Sequence, residues 1–243
     1  MLYFKISKID AIDSTNLALK RKYHKGLAKH GDVLWALDQV KGKGQRDSQW
    51  VSEPDKNLTF SIFLSQEKLM LRSVFVLNCW VALAVKNSLT SLNIPSVSIK
   101  WPNDILSENK KLCGILIENL YQGEKHIASI VGIGLNVNQI NFFDLTKASS
   151  MQLSAGRMFD LEKVLQEILY QLSHYLETKM SPLDSLEAFN KALYGLGEER
   201  TFLENDKPFQ ATVEEVNAQG ELVLKTAQNQ LRCFQHKTIE WIY

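Results

Sequence analysis

The sequence predicts an α+β protein: a β-sheet packed against helices, followed by a small C-terminal β-barrel of SH3-like size. Three observations carry that prediction. Between residues 32 and 138, several short runs either alternate apolar and polar residues or stay apolar, bounded by turn formers, as strands do. Longer segments repeat apolar residues every three or four positions, the period of a helix with one buried face. From Arg200 the texture changes to short strand-like runs separated by turn signals.

At 243 residues the chain can bury one large core and a smaller second one. A formal net charge of +1 offers no bulk attraction to nucleic acid or membrane, so any electrostatic work must be local. Cys79, Cys113 and Cys233 are odd in number and scattered, which argues against a disulfide framework or a zinc site and for a reducing compartment. The early charges of Met1–Asp10 do not read as a secretory signal. The most apolar stretch, residues 74–85, is too short to span a bilayer and contains Asn78. A cytoplasmic protein is expected.

In chain order, residues 3–6 form a short strand leading to Asp13-Ser14-Thr15-Asn16, any of which can cap a helix through Leu17 and Leu19. Residues 32–37 form a strand that feeds the polar segment Gln39-Val-Lys-Gly-Lys-Gly-Gln-Arg-Asp-Ser-Gln-Trp50. Residues 57–64 alternate before an apolar end and read as a half-buried strand, so the segment joins two strands. That is not the strand-to-helix setting of a Rossmann or P-loop glycine motif. Val74, Leu77, Val81, Val85, Leu89 and Leu92 mark a long helix over residues 69–92, ended by Asn93-Ile-Pro95. Strands follow at 97–101, 110–118 and 127–138, with a turn at Pro102-Asn103-Asp104. Asp160 caps a periodic helix running from Leu161 to Leu176, and Ser181-Pro182 starts another carrying Leu183, Leu186, Phe189 and Leu193. Both are core helices without chemistry. Strand-like runs then recur at 201–203, 209–216, 221–224, 230–234 and 239–242.

Several polar residues stand where a sheet would bury apolar ones. Lys41, Lys43 and Arg46, with Gly42 and Gly44, give the polar segment cations and backbone N–H groups that can converge on an anion. Lys100 and the Asn103-Asp104 turn lie at a strand end, and Lys111 stands before Gly114 at the entrance to an apolar strand. Such a lysine is either a solvated edge charge or a cation facing a cleft. Gly132 and Gly134, two apart, either leave one sheet face open or mark a bend, and Asn136 interrupts the same strand. Together these residues propose one anion-rich ligand site on the sheet.

Five of these motifs, in strict order over residues 8–140, resemble those of the biotin protein ligases: Ser14-Thr15-Asn16; Gln39 to Trp50; Lys100-Trp-Pro-Asn-Asp104; Lys111 to Glu118; and Gly132 to Asn136. Lys43 and Gln45 stand where that family commonly has arginines, with Arg46 one step later, and Asp47 stands where a glycine often follows. Lysine keeps the charge without the bidentate fork of arginine. The resemblance implies a mixed sheet packed on helices, a catalytic domain over residues 1–196 and the SH3-like domain over 197–243. With the motifs beginning so early, it also implies the monofunctional class that lacks an N-terminal DNA-binding domain.

The implied reaction is ATP-dependent ligation of biotin to a lysine of a biotin carboxyl carrier protein, the carrier of acetyl-CoA carboxylase, through biotinyl-5′-AMP. Lipoate–protein ligase is the alternative. ATP and Mg²⁺ are the implied cofactors, with biotin as substrate and the carrier domain as partner; a homodimer is allowed, and no DNA or membrane partner is expected. Lys111, Lys43 and Arg46 carry the catalytic roles. Ser14, Thr15, Asn16, Gln39, Gly42, Lys43, Gly44, Gln45, Lys111 and Gly114 are expected around biotin. Lys43, Arg46, Trp50, Asn103, Asp104, Lys111 and Asn136 are expected around ATP. The Gln39–Trp50 segment is expected to close over the adenylate.

Overall fold

In the computed structural model, which describes residues 3–42, 44, 49–71, 73–143, 145–236 and 238–242, two sheets carry the chain. Strand β1 (Lys5–Ile12) passes through α1 (Thr15–His24) to β2 (Asp32–Gln39), and the two strands pair in parallel. β2 pairs antiparallel with β3 (Leu58–Ser65), so the polar segment does connect adjacent strands. The next elements are α2 (Gln66–Leu69), α3 (Val74–Ser91), β4 (Val97–Lys100), β5 (Asp104–Ser107), β6 (Lys110–Gln122) and β7 (Lys125–Leu135). They complete a mixed seven-stranded sheet in the order β1-β2-β3-β7-β6-β5-β4. Helices α4 (Met151–Ala155), α5 (Leu161–Thr178) and α6 (Pro182–Lys191) follow. The chain then forms β8 (Glu199–Glu204), β9 (Lys207–Val216), β10 (Leu222–Thr226), β11 (Leu231–Phe234) and β12 (Glu240–Ile242). These make an antiparallel five-stranded sheet in the order β11-β10-β9-β8-β12.

The helix ends follow local chemistry. Of the four candidates before α1, Ser14 is the cap: it is extended at φ −157° and accepts from the Leu17 N–H. Asp13 instead takes Arg21 through two bonds of 2.8 and 2.7 Å. That guanidinium, with the Ser14 N–H, holds the Asp13 carboxyl well below the usual carboxylate range. Asp160 caps α5 by accepting from Glu162 and Lys163, and Ser181 caps α6, where Pro182 starts the helix without wasting an N–H.

The two faces of the large sheet differ, and this difference positions the site. On one face Phe60, Ile62, Ile115, Val131 and Ile133 join Leu77, Val81, Val85 and Leu89 of α3 and Val164, Leu165 and Ile168 of α5 in the main core. By length and composition α3 is apolar enough to cross a bilayer, contrary to the shorter stretch read from sequence, but most of it is buried inside this core. On the other face α1 covers a small cluster of Leu19, Phe63, Leu120, Ala128 and Ile130. Because both faces are covered, β3 is buried from Leu58 to Leu64 instead of half-buried as its alternation suggests. Helix α2, strand β5 and helix α4 are not legible in the sequence, each being too short to carry a period, and the helix expected over residues 69–92 begins only at Val74.

Candidate functional site

Beyond the end of α1 nearest Ser14, the second face of the sheet is left open by its sequence. Gly132 and Gly134 of β7 pair with Leu116 and Gly114 of β6 on one side, and with Ser61 and Thr59 of β3 on the other, without a bulge at either glycine. The open-face reading therefore holds over the bend. What lies against the glycines is the protein's own side chains. A Cβ at Gly134 would stand 2.5 Å from the Trp50 ring, and one at Gly132 would stand 2.4 Å from Asn16 Oδ1. Gly114 faces Trp50 on one side and Lys111 Nζ on the other.

These residues line one cavity of ≈ 370 Å³. At one end Ser14, Thr15, Asn16 and Gln39 meet. Thr15 donates its backbone N–H to Gln39 Oε1 at 2.7 Å, and its hydroxyl lies 3.0 Å from the same oxygen. Ser61 Oγ is 2.6 Å from both Thr15 Oγ1 and Asn16 Oδ1. Asn16 donates through Nδ2 to Glu118 Oε2 at 2.8 Å. Thr15, Asn16 and Ser61 are buried and Gln39 and Glu118 partly so, and these groups are bonded to one another, as buried polar groups must be.

At the other end Lys100, Lys111 and Lys147 line the cavity with Asp104 and Glu240. Lys111 Nζ pairs with Asp104 Oδ1 at 2.7 Å and stands 6.0 Å from the centre of the Trp50 ring. The turn between β4 and β5 is pinned to β6: Asn103 donates Nδ2 to Ile115 O at 2.8 Å and accepts from Ile115 N–H at 2.9 Å. Burial is the main cause that pushes the Lys100 ammonium down to about 8, with Asp104 opposing and Lys111 and Lys147 adding to the shift.

The predicted residues divide as follows. Ser14, Thr15, Asn16, Gln39, Gly44, Trp50, Asn103, Asp104, Lys111 and Gly114 share the cavity. Lys43, Gln45 and Arg46 lie outside the described residues. Gly42 is at the neck of the segment and not among the cavity's lining residues: its carbonyl accepts from Trp50 N–H at 2.9 Å, and a Cβ there would meet Trp50 O at 2.5 Å. Asn136, expected beside ATP, does not line the cavity either. It is buried and donates Nδ2 to Ser149 O at 2.9 Å, while its backbone bonds Leu112 O and Met151 N–H. The end of β7 is inside the protein, where its polar atoms need partners, and Asn136 supplies them.

Sequence reasoning missed Lys147, Gln49, and His236, Ile239, Glu240 and Trp241 of the C-terminal sheet region. Lys147 sits in an aperiodic stretch, brought to the cavity because its carbonyl accepts from Lys111 N–H at 2.8 Å. The C-terminal residues arrive through Trp101, whose Nε1–H donates to Gly220 O at 2.9 Å and whose ring meets His236 edge-on. Lys100 has one signal in the sequence: with the Asn103-Asp104 turn it lies at a strand end, where a buried sheet would be expected to carry apolar residues.

Residues 9–136 match the model of the biotin/lipoate A/B protein ligase family. The chain is 34% identical over 146 residues to the bifunctional ligase/repressor BirA of Bacillus subtilis, covering 58% of this chain and 45% of that protein. It is 36% identical over 127 residues to the biotin–[acetyl-CoA-carboxylase] ligase of Paracoccus denitrificans, covering 51% of each. The chain thus spans about half the length of the curated relatives it matches. Among solved structures, the biotin protein ligase of Aquifex aeolicus in complex with biotin and ATP superposes with a TM-score of 0.83 at 25% identity, over 99% of both chains.

Proposed function

The chain belongs to the biotin/lipoate A/B protein ligase family, and from that premise we propose that it is a biotin–protein ligase. It activates biotin with ATP to biotinyl-5′-AMP and transfers the biotinyl group to a lysine of a biotin carboxyl carrier domain. The observation that carries this reading is the division of one cavity into a hydrogen-bonded end and a cationic end, joined by a glycine floor under Trp50. An uncharged cyclic urea suits the first end, and a carboxylate meeting an α-phosphate suits the second.

In the first half-reaction the biotin carboxylate oxygen bonds to the α-phosphorus and pyrophosphate leaves. Two anions must approach, so preorganised cations carry the catalysis. Lys111 is the cation placed between Trp50 and Asp104, and Lys100 and Lys147 extend the positive field along the cavity. Asp104 keeps the Lys111 ammonium aimed into the cavity. In the second half-reaction the neutral carrier amine attacks the acyl carbon, AMP leaves and a proton is released. Trp50, whose ring lies against Gly134 and Gly114, keeps water from the mixed anhydride until the amine arrives.

Among the described residues no cluster of three His, Cys, Asp or Glu could hold a metal by itself. Mg²⁺ needs no such cluster, since it is bound through one or two carboxylates together with phosphates and water. Asp104 would hold it, and the ion would neutralise phosphate charge.

The test is ATP–pyrophosphate exchange by the purified protein with biotin, followed by transfer of labelled biotin to a carrier domain. Biotin-dependent exchange and ATP-dependent labelling are expected. Exchange that responds to lipoate and not to biotin would replace the reading with a lipoate ligase.

A further inference from the structure

Asn16 is held from both sides. Its Nδ2 donates to Glu118 Oε2 at 2.8 Å and approaches Leu116 O at 3.4 Å, while its Oδ1 receives Ser61 Oγ at 2.6 Å. An ionised carboxylate only accepts, so Glu118 can face only the nitrogen of that amide. With the amide so turned, Oδ1 needs the Ser61 proton. Ser61 must then take its own hydrogen bond from the Thr15 hydroxyl, 2.6 Å away. Gln39 Oε1 is still satisfied, because the Thr15 backbone N–H reaches it at 2.7 Å. One assignment of protons thus satisfies the chain, and it runs Thr15 to Ser61 to Asn16 with Glu118 as its terminus.

The direction has a chemical consequence. The two N–H groups of Asn16 are committed, and the Thr15 proton points to Ser61. Lone pairs on Thr15 Oγ1 and Asn16 Oδ1 are what this end of the cavity has left to present. We propose that Glu118 is a positioning residue that sets the hydrogen-bond polarity of this subsite, making it an acceptor for ligand N–H donors such as the two of a cyclic urea. The proposal rests on the biotin reading above and adds to it a residue that touches neither biotin nor ATP. Gly132 belongs to the same device, since any side chain there would displace Asn16 Oδ1. Reversing the amide would set its oxygen against the Glu118 carboxylate, so the carboxylate makes one orientation the stable one.

The experiment compares unsubstituted protein, Glu118→Ala, Glu118→Gln and Ser61→Ala in ATP–pyrophosphate exchange, with biotin and with biotin methylated on a ureido nitrogen. In Glu118→Ala the KM for biotin rises roughly tenfold, as expected for loss of a directed buried hydrogen bond, with KM for ATP and kcat at saturating biotin little changed. Discrimination against the methylated analogue narrows, because a freed amide can turn its N–H groups to the cavity. Glu118→Gln, which can still offer a carbonyl oxygen to Asn16, restores most of the biotin affinity. Ser61→Ala breaks the relay on its other side: Glu118 still fixes the amide, but the Thr15 hydroxyl, released from Ser61, can turn its proton to the cavity, so the biotin KM again rises and discrimination again narrows, which guards against Glu118→Ala merely folding poorly. An unchanged biotin KM in both truncations overturns the proposal, as does a raised KM with discrimination intact, which is what loosened packing alone would give. Absence of biotin-dependent exchange in the unsubstituted protein would overturn the functional reading itself and the proposal with it.

Discussion

At the Thr15 end of the cavity, polar side chains are bonded to one another, and Glu118 is answered by the Asn16 amide. At the Lys111 end, three lysines and two acids line the cavity, and Lys111 pairs with Asp104 at 2.7 Å. Both ends stand on the same glycine floor of the same sheet, so the difference comes from side chains and not from the fold. A network whose donors are committed presents only acceptors to a neutral ligand, and so discriminates by direction. Cations gathered along one cleft are held apart from bulk water and gain most when phosphate enters. The first design recognises and the second does chemistry.

The sharpest way to break this comparison is Lys111→Ala. If the cationic end does the chemistry alone, biotin-dependent pyrophosphate exchange falls by roughly a thousandfold, the scale for losing a preorganised transition-state contact. Biotin affinity by calorimetry changes little, and so does the thermal unfolding midpoint, since Lys111 and Asp104 are both partly exposed. Exchange at the normal rate would remove Lys111 from the mechanism.

The glycine floor separates the two ends in another way. In Gly132→Ala the new methyl group falls 2.4 Å from Asn16 Oδ1, and in Gly134→Ala it falls 2.5 Å from the Trp50 ring. Overpacking of this kind costs about 1–3 kcal/mol where neighbours cannot yield. Gly132→Ala is expected to raise the biotin KM tenfold or more with the ATP KM unaffected, roughly the cost of displacing Asn16. Gly134→Ala moves the indole that spans the cavity and raises both. Steady-state kinetics with each substrate varied would show the split, and equal effects from the two substitutions would mean that the floor acts as one unit.

How much of this was legible in the sequence follows the same division. Local chemistry was readable: Ser14, Asp160 and Ser181 cap the helices expected of them, and Gly132 and Gly134 lie on one open face. Lys111 could be suspected because a lysine beside Gly114 at a strand entrance breaks the local pattern. Contacts made by the tertiary fold were not readable. That Trp50 lies over Gly134 depends on how the polar segment returns, and no period encodes it. Glu118 closes one of the five motifs, but no role can be read for it from sequence, because its partner Asn16 comes from α1 across the sheet. His236 and Glu240 reach the cavity through contacts between the two sheets, among them those of Trp101 with Gly220 and His236 and of Asn190 with Val216. Asn136 stands outside the lining of the cavity for the converse reason: the motif is local, while its burial beside Ser149 is not.

Burial of Lys100 makes the cationic end pH-sensitive and leaves the Thr15 end indifferent. Its ammonium is pushed from an ordinary 10.5 to about 8, mainly by desolvation. Above that value the free enzyme loses the proton, so kcat/KM for ATP falls as pH rises through about 8, to roughly a tenth one unit higher if the charge is essential. Stability moves the other way. Between about 8 and 10.5 the unfolded chain holds the proton that the folded one has released, so stability rises with pH in that window. Lys100→Arg, which stays charged, should flatten the kinetic profile. A wild-type profile already flat from pH 7 to 9.5 would mean that Lys100 does not meet the phosphates.

Lys147 tests how far the cationic end extends. It is exposed, it reaches the cavity through a segment held by Lys111 N–H and Ser149 N–H, and it contributes field to Lys100. An exposed charge acts through solvent, so Lys147→Ala should raise the KM for ATP only about two- to threefold at low salt, and less at 0.5 M salt, where the Debye length shrinks to a few ångströms. It should also raise the Lys100 titration slightly, moving the fall in kcat/KM to higher pH, because one like charge has been removed from its surroundings. The two readouts pull apart the alternatives. A KM change without a shift of the profile would mean that Lys147 meets the phosphates directly. A shifted profile without a KM change would mean that it acts only through the field at Lys100.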